Sequence, residues 1–162
     1  MSTKLPLLPQ TESIVAVASG KLPAAIAVLR ISGTNCHKNL APLLGRTLSS
    51  LEVGKLKLCN IIDPKTTDIL DEAMVVLFRS PYSYTGEDSA ELHLHGGSYV
   101  VRRILEILCL NGFRLAEPGE FTKRSYLNGK IDLTKAEGIT HLIHAESEHQ
   151  WRAAHQLLGG RL

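Results

Sequence analysis

Three polar side chains alternate along one short apolar run, Glu91-Leu-His93-Leu-His95, and Gly96-Gly97 follows at once. In an extended chain successive side chains point to opposite faces, so Glu91, His93 and His95 share one side of a strand. That set admits more than one chemistry. Imidazoles with a carboxylate suit zinc or iron. Alternatively, the Glu91 carboxylate can accept two parallel hydrogen bonds from an N–H and an adjacent amino group, the edge that a pterin or a guanine presents. A third reading needs no ligand: an exposed polar sheet face, with His95 fixing the loop that follows. Gly96-Gly97 ahead of a helix admits close ligand approach to free N–H groups, and it serves a tight strand-to-helix turn equally well.

Two further places carry charge of interest. Arg30 lies inside the apolar run Ile26-Ala-Val-Leu-Arg-Ile31. A guanidinium there takes a carboxylate of the protein or of a ligand, or points to solvent from an open edge strand. Lys123, Arg124 and Lys130 surround Tyr126, a cluster fit for an acidic ligand or phosphate, or else a solvated helix face. Each Gly-Lys pair is followed by Leu or Ile, so no P-loop is present in this sequence. The GxSxG, HExxH and GxGxxG patterns are also absent.

The elements that must position these residues follow from periodicity and breakers. Ser13–Ser19 and Ala24–Ser32 read as strands joined through Gly20-Lys-Leu-Pro23, and Thr34 can cap a helix that runs to Leu44 and stops at Gly45. Lys55–Ile62 and Asp71–Arg79 read as strands ended by Asp63-Pro64 and Pro81. Ser89–Leu94 is the polar-faced strand. Ser98 then caps a helix over Tyr99–Leu110, with Val100, Ile104, Ile107 and Leu108 as its apolar set. After a short strand at Phe113–Ala116, Pro118 opens a helical turn ending near Asn128-Gly129. From Asp132 onward the pattern predicts one long helix, with Thr134 and Glu137 as a capping box. Its apolar stripe of Ala136, Ile139, Ile143, Ala154 and Leu157 exceeds what a small domain covers, which implies packing on another chain or another part of the protein. Strands and helices mix without strict alternation, so the fold class is α+β.

Bulk properties set bounds. A chain of 162 residues with 44% apolar side chains forms one domain, or a domain plus an appended helical piece. A formal net charge of +2 gives no global field for nucleic acid. The three cysteines form no CxxC pair, which argues against a zinc knuckle or a disulfide framework and for a reducing cytosolic or organellar-matrix compartment. No secretory signal is legible over Met1–Glu12. No apolar run approaches membrane-spanning length, so a soluble protein is expected.

Taken in order, Leu29-Arg-Ile-Ser-Gly33, Tyr84-Thr-Gly-Glu-Asp88, Glu91-Leu-His-Leu-His-Gly-Gly97 and the long block Glu117–Glu137 resemble the N-terminal part of the MnmE/TrmE tRNA-modification GTPases. The likeness runs from about Ser13 to Gly160. It implies a tetrahydrofolate-binding and dimerisation domain over residues 1–120, of the glycine-cleavage T-protein-like type. Residues 121–162 would begin the family's helical domain, with the GTPase domain absent. It further implies a homodimer that works in the full-length protein with an FAD-dependent partner on C5 of the tRNA wobble uridine. The one-carbon unit would come from 5,10-methylene-tetrahydrofolate, with 5-formyl-tetrahydrofolate as a related ligand, in the cytoplasm or, in a eukaryote, an organellar matrix. Carried over by motif position, the folate contacts are Arg30, Glu91 and Lys130, with His95, Gly96 and Gly97 along the pocket wall. Two alternatives stand beside this: an interaction module without folate binding, and a small metal enzyme using Glu91, His93 and His95. One departure concerns the loop after the first strand, where the family has a glycine-rich sequence and this chain reads Gly20-Lys-Leu-Pro-Ala-Ala25.

Overall fold

The computed structural model describes residues 12–44 and 50–159. The helix stop at Gly45, the N-terminal stretch before Glu12 and the terminal Gly160-Arg161-Leu162 lie outside the described residues. The described chain divides into two compact units. The first holds the residues up to Ser83 together with Glu87–Glu117, and the second holds Tyr84–Gly86 with the residues from Pro118.

The first unit is a six-stranded mixed sheet in the order β3-β4-β5-β2-β1-β6. Its strands are β1 (Ser13–Val17), β2 (Ile26–Ser32), β3 (Lys57–Ile62), β4 (Ile69–Phe78), β5 (Ser89–His95) and β6 (Phe113–Leu115). All neighbours are antiparallel except β1 and β6, which run parallel. The period-2 alternation sends Val15, Ala27, Leu29, Ile31, Val75, Leu77, Leu92 and Leu94 to one face. There they meet helix α2 (Ser98–Leu110) through Val101, Ile104, Ile107 and Leu108. Helix α1 (Cys36–Leu40) and the 3-10 turn Ala41–Leu43 add Cys36, Leu40 and Leu43 to the same core. Each such Leu or Ile contributes about 1.5–3 kcal/mol by leaving water.

Two details differ from the sequence expectation here. The helix expected over Thr34–Leu44 is a short α1 followed by the 3-10 turn, because Asn35 at its start makes no side-chain cap bond and Pro42 follows. Gly97, not Ser98, sits at the cap position of α2, and Val101 rather than Val100 is the fully buried member of its stripe.

The second unit contains α3 (Glu120–Leu127), α4 (Leu133–Ile143) and α5 (Glu148–Leu157). The single long helix expected from Asp132 is a hairpin of two helices. Ser147 ends the continuity by capping α5: its hydroxyl accepts from Gln150 N at 3.3 Å, and Gln150 Oε1 accepts from Glu146 N at 2.7 Å. The cap of α4 is Asp132, which accepts from Lys135 N at 2.7 Å, and not the Thr134–Glu137 box. The hairpin closes on Gly138, where a Cβ would lie 2.9 Å from Leu157 Cβ. Part of the stripe expected to need an outside partner is satisfied within the hairpin; Ala154 is fully buried there. Among the described residues no helix is long and apolar enough to cross a membrane.

Candidate functional site

The face of the sheet opposite the core carries the polar residues of β5. Register sets Arg30 of β2 directly across from Glu91, Val28 across from His93, and Ile26 across from His95. On the other side β4 places Val76 beside Glu91 and Met74 beside His93. The alternation that buries Leu92 and Leu94 thus turns Glu91 and His93 outward into one row of side chains with Arg30.

Arg30 and Glu91 are brought together closely. Arg30 Nε and one terminal N–H donate to the same oxygen, Glu91 Oε1, at 3.0 and 2.9 Å. The second oxygen, Oε2, faces His93 Nε2 at 3.4 Å, longer than an ordinary N–H···O bond. The Arg30 and Glu91 side chains are 32% and 22% exposed, and His93 is likewise 32% exposed, so the cluster is half-sheltered and open to a ligand. Ile26, Leu58 and Met74 lie exposed on the same face.

His95 does not join this cluster. Its ring Nδ1 pairs with Asp71 Oδ1 at 2.7 Å and its backbone N–H donates to Asp71 Oδ2 at 2.8 Å. The nearly buried Asp71 carboxylate thereby fixes the end of β5, so the metal triad of Glu91, His93 and His95 is not assembled. Among the described residues, no group of three His, Cys, Asp or Glu side chains is arranged to hold a metal ion. Sequence reasoning passed over Asp71, whose role depends on β4–β5 register.

The two glycines after His95 have separate explanations. A Cβ at Gly96 would lie 2.2 Å from Ala24 O, because the Ala24 and Gly96 backbones are bonded through Ala24 N→Gly96 O at 3.0 Å. Gly96 is required by backbone packing. At Gly97 a Cβ would meet nothing nearer than Val100 at 3.9 Å, and its φ of −68° suits any residue.

Lys130 belongs to the second unit. Its stem lies against Gly86, where a Cβ would be 3.1 Å from Lys130 Cγ and where φ is +80°. The segment Tyr84–Gly86 is pinned there by Ser125 Oγ donating to Tyr84 O at 2.8 Å and by Asn128 Nδ2 donating to Thr85 O at 2.8 Å. The conspicuous Tyr-Thr-Gly and Ser-Tyr-Leu-Asn-Gly-Lys sequences are therefore partners in one local fold, a pairing that nothing in their spacing reveals. Of the basic cluster, Arg124 is buried and donates to Glu120 Oε1 at 2.9 Å, so it does not stand on a solvated face with Lys123.

Remaining titratable groups in the first unit anchor the loop before β5. Asp88 accepts from Ser80 N at 2.9 Å and from Arg79 at 3.3 Å, and the His37 ring bonds Ser89 O at 2.8 Å. Cys36 donates to Asp88 O at 3.0 Å, and burial, with Asp88 and Glu87 nearby, pushes its thiol up to about 12. It is a structural thiol, not a nucleophile.

The family described as GTP-binding protein TrmE N-terminus matches residues 13–130, most of the chain. The chain belongs to this family. Its similarity to TrmE-family proteins is also direct. It is 43% identical over 155 residues to a tRNA modification GTPase MnmE of Rhodopseudomonas palustris strain HaA2, covering 95% of this chain and 33% of that protein. It is 47% identical over 148 residues to the MnmE of Chelativorans sp. strain BNC1, covering 91% and 33%. It is 47% identical over 153 residues to that of Methylobacterium sp. strain 4-46, covering 94% and 35%. The chain thus spans about a third of the length of these relatives.

Proposed function

We propose that this chain is the folate-binding, dimerising N-terminal region of a tRNA-modification GTPase, with a T-protein-like folate domain. In the full-length protein it would act in the cytoplasm with an FAD-dependent partner. Together they would modify C5 of the tRNA wobble uridine with a one-carbon unit from 5,10-methylene-tetrahydrofolate. The observation that carries the reading is the half-sheltered Arg30–Glu91–His93 cluster on the open face of a TrmE-family sheet. A carboxylate so placed matches the amino and N–H edge of a pterin. Lys130, exposed in the second unit, is the further folate contact that the family resemblance implies. GTP hydrolysis is not assigned to these 162 residues, since their sequence has no P-loop.

Titration calorimetry with 5-formyl-tetrahydrofolate tests the reading. We expect saturable binding that Glu91→Ala weakens at least tenfold, because a hydrogen bond to a charged group contributes ~1.5–3 kcal/mol. A well-folded sample that gives no heat of binding refutes it. A second reading, an interaction module without folate, draws on the exposed Ile26, Leu58 and Met74 beside the cluster. A dimer by light scattering together with absent folate binding favours that alternative.

A further inference from the structure

Resting on the folate reading, we infer that Arg30 is a positioning residue for Glu91 rather than a cation for the ligand's anionic tail, and that Glu91 Oε2 is the atom the ligand meets. Two Arg30 N–H groups converge on Oε1, at 3.0 and 2.9 Å. A carboxylate oxygen offers about two lone-pair directions, so Oε1 is occupied by this fork. Its effect is to fix the Glu91 rotamer, because both donors come from one planar group held on the neighbouring strand opposite Glu91.

Oε2 differs. Its contact with His93 Nε2 is long, at 3.4 Å, and His93 is one-third exposed. An incoming N–H donor displaces that contact at small cost, whereas displacing Arg30 breaks two bonds and strips a guanidinium of its carboxylate. The ligand edge therefore enters beside His93, with Arg30 still in place. A planar heterocycle with adjacent N–H and amino donors is received at Oε2, and the p-aminobenzoyl-glutamate tail is read by groups other than Arg30.

The test uses two ligands and a mutant cycle on the 162-residue chain. The ligands are 5-formyl-tetrahydrofolate and 6-methyl-tetrahydropterin, which keeps the bicyclic ring and lacks the tail. Arg30→Met is expected to weaken both ligands by the same factor, about threefold to tenfold, consistent with a modest loss of carboxylate orientation. In a Glu91→Ala background, Arg30→Met should change either affinity by less than about twofold, since a residue acting through another has nothing left to act on. Arg30→Lys, which keeps the charge but loses the fork, should fall between wild type and Arg30→Met; it also serves if thermal melting shows Arg30→Met to be unfolded. The inference is overturned if Arg30→Met weakens the folate but spares the tailless pterin. Effects of Arg30→Met and Glu91→Ala that multiply overturn it as well. Absence of folate binding by the wild-type chain instead refutes the functional reading on which the inference rests.

Discussion

Replacing Gly96 and Gly97 one at a time by alanine separates two uses of a Gly-Gly pair. A Cβ on Gly96 would stand 2.2 Å from Ala24 O and 2.7 Å from the Ala24 carbonyl carbon. Ordinary contact begins near 3.4 Å, and the obstacle is backbone, so the Ala24-Ala25 segment ahead of β2 must move by about 1 Å. That movement strains the bonds Ala24 N→Gly96 O and Gly96 N→Ala25 O. Two backbone bonds at ~0.5–1.5 kcal/mol each and overpacking of ~1–3 kcal/mol give a destabilisation of about 2–6 kcal/mol for Gly96→Ala. At Gly97 the space is open and φ is negative. Alanine there gains ~0.4–1 kcal/mol by stiffening the unfolded chain and loses a similar amount as a poor helix cap, so the net is near zero. Urea denaturation followed by circular dichroism measures both. A Gly96→Ala variant within ~0.5 kcal/mol of wild type, or a Gly97→Ala variant that loses more than ~1 kcal/mol, refutes this reasoning.

Two further outcomes follow from local geometry. Gly138→Ala gains up to ~1 kcal/mol of helix propensity but places its Cβ 2.9 Å from Leu157 Cβ, an atom tied to its own backbone; overpacking prevails, and denaturation should show a net loss of about 1 kcal/mol. The backbone N–H of Lys65, followed by Arg103, holds the Asp63 carboxyl below its ordinary range. A depressed carboxyl stabilises the fold above the unfolded value of about 3.9 and loses that contribution as pH falls through the folded value. Asp63→Asn should therefore lower the melting temperature at neutral pH, with the gap from wild type closing on acidification below about pH 4; a constant gap refutes the assignment.

Much of the fold is legible because burial on one face imposes a period on the chain. The alternation shows in β2, β3 and β5, and β5 does so most plainly, with Leu92 and Leu94 buried between Glu91, His93 and His95, whereas β1 and β4 bury consecutive residues and are legible only as apolar runs. The region after Asp132 misled because a helix stripe continues in phase across a short interruption, while the break at Ser147 is signalled only by the pair Ser147 and Gln150. The site is legible in composition but not in connection. That Glu91 and His93 share a side follows from β5 alone. That Arg30 sits opposite Glu91, and that His95 turns to Asp71, depends on register between strands distant in sequence. No local pattern encodes that.

Stability alone is a poor account of the Arg30–Glu91 pair. With side chains 32% and 22% exposed, the ion pair contributes about 1 kcal/mol or less, which a Thr or Val pair on the same two positions would match. Nor does an apolar docking surface explain it. Covering this face through Ile26, Leu58 and Met74 alone would carry a guanidinium and a carboxylate out of water, and a buried pair returns little against its desolvation. The pair is of use where the group that covers it brings complementary polar atoms of its own. A flat heterocycle with adjacent N–H donors over Oε2 and apolar edges toward Val28 and Met74 meets that requirement, which a featureless protein face does not. The same cluster that is of little value to the isolated fold thus favours a polar-edged ligand over a purely apolar partner, and the exposed side chains around it are what such a ligand would cover.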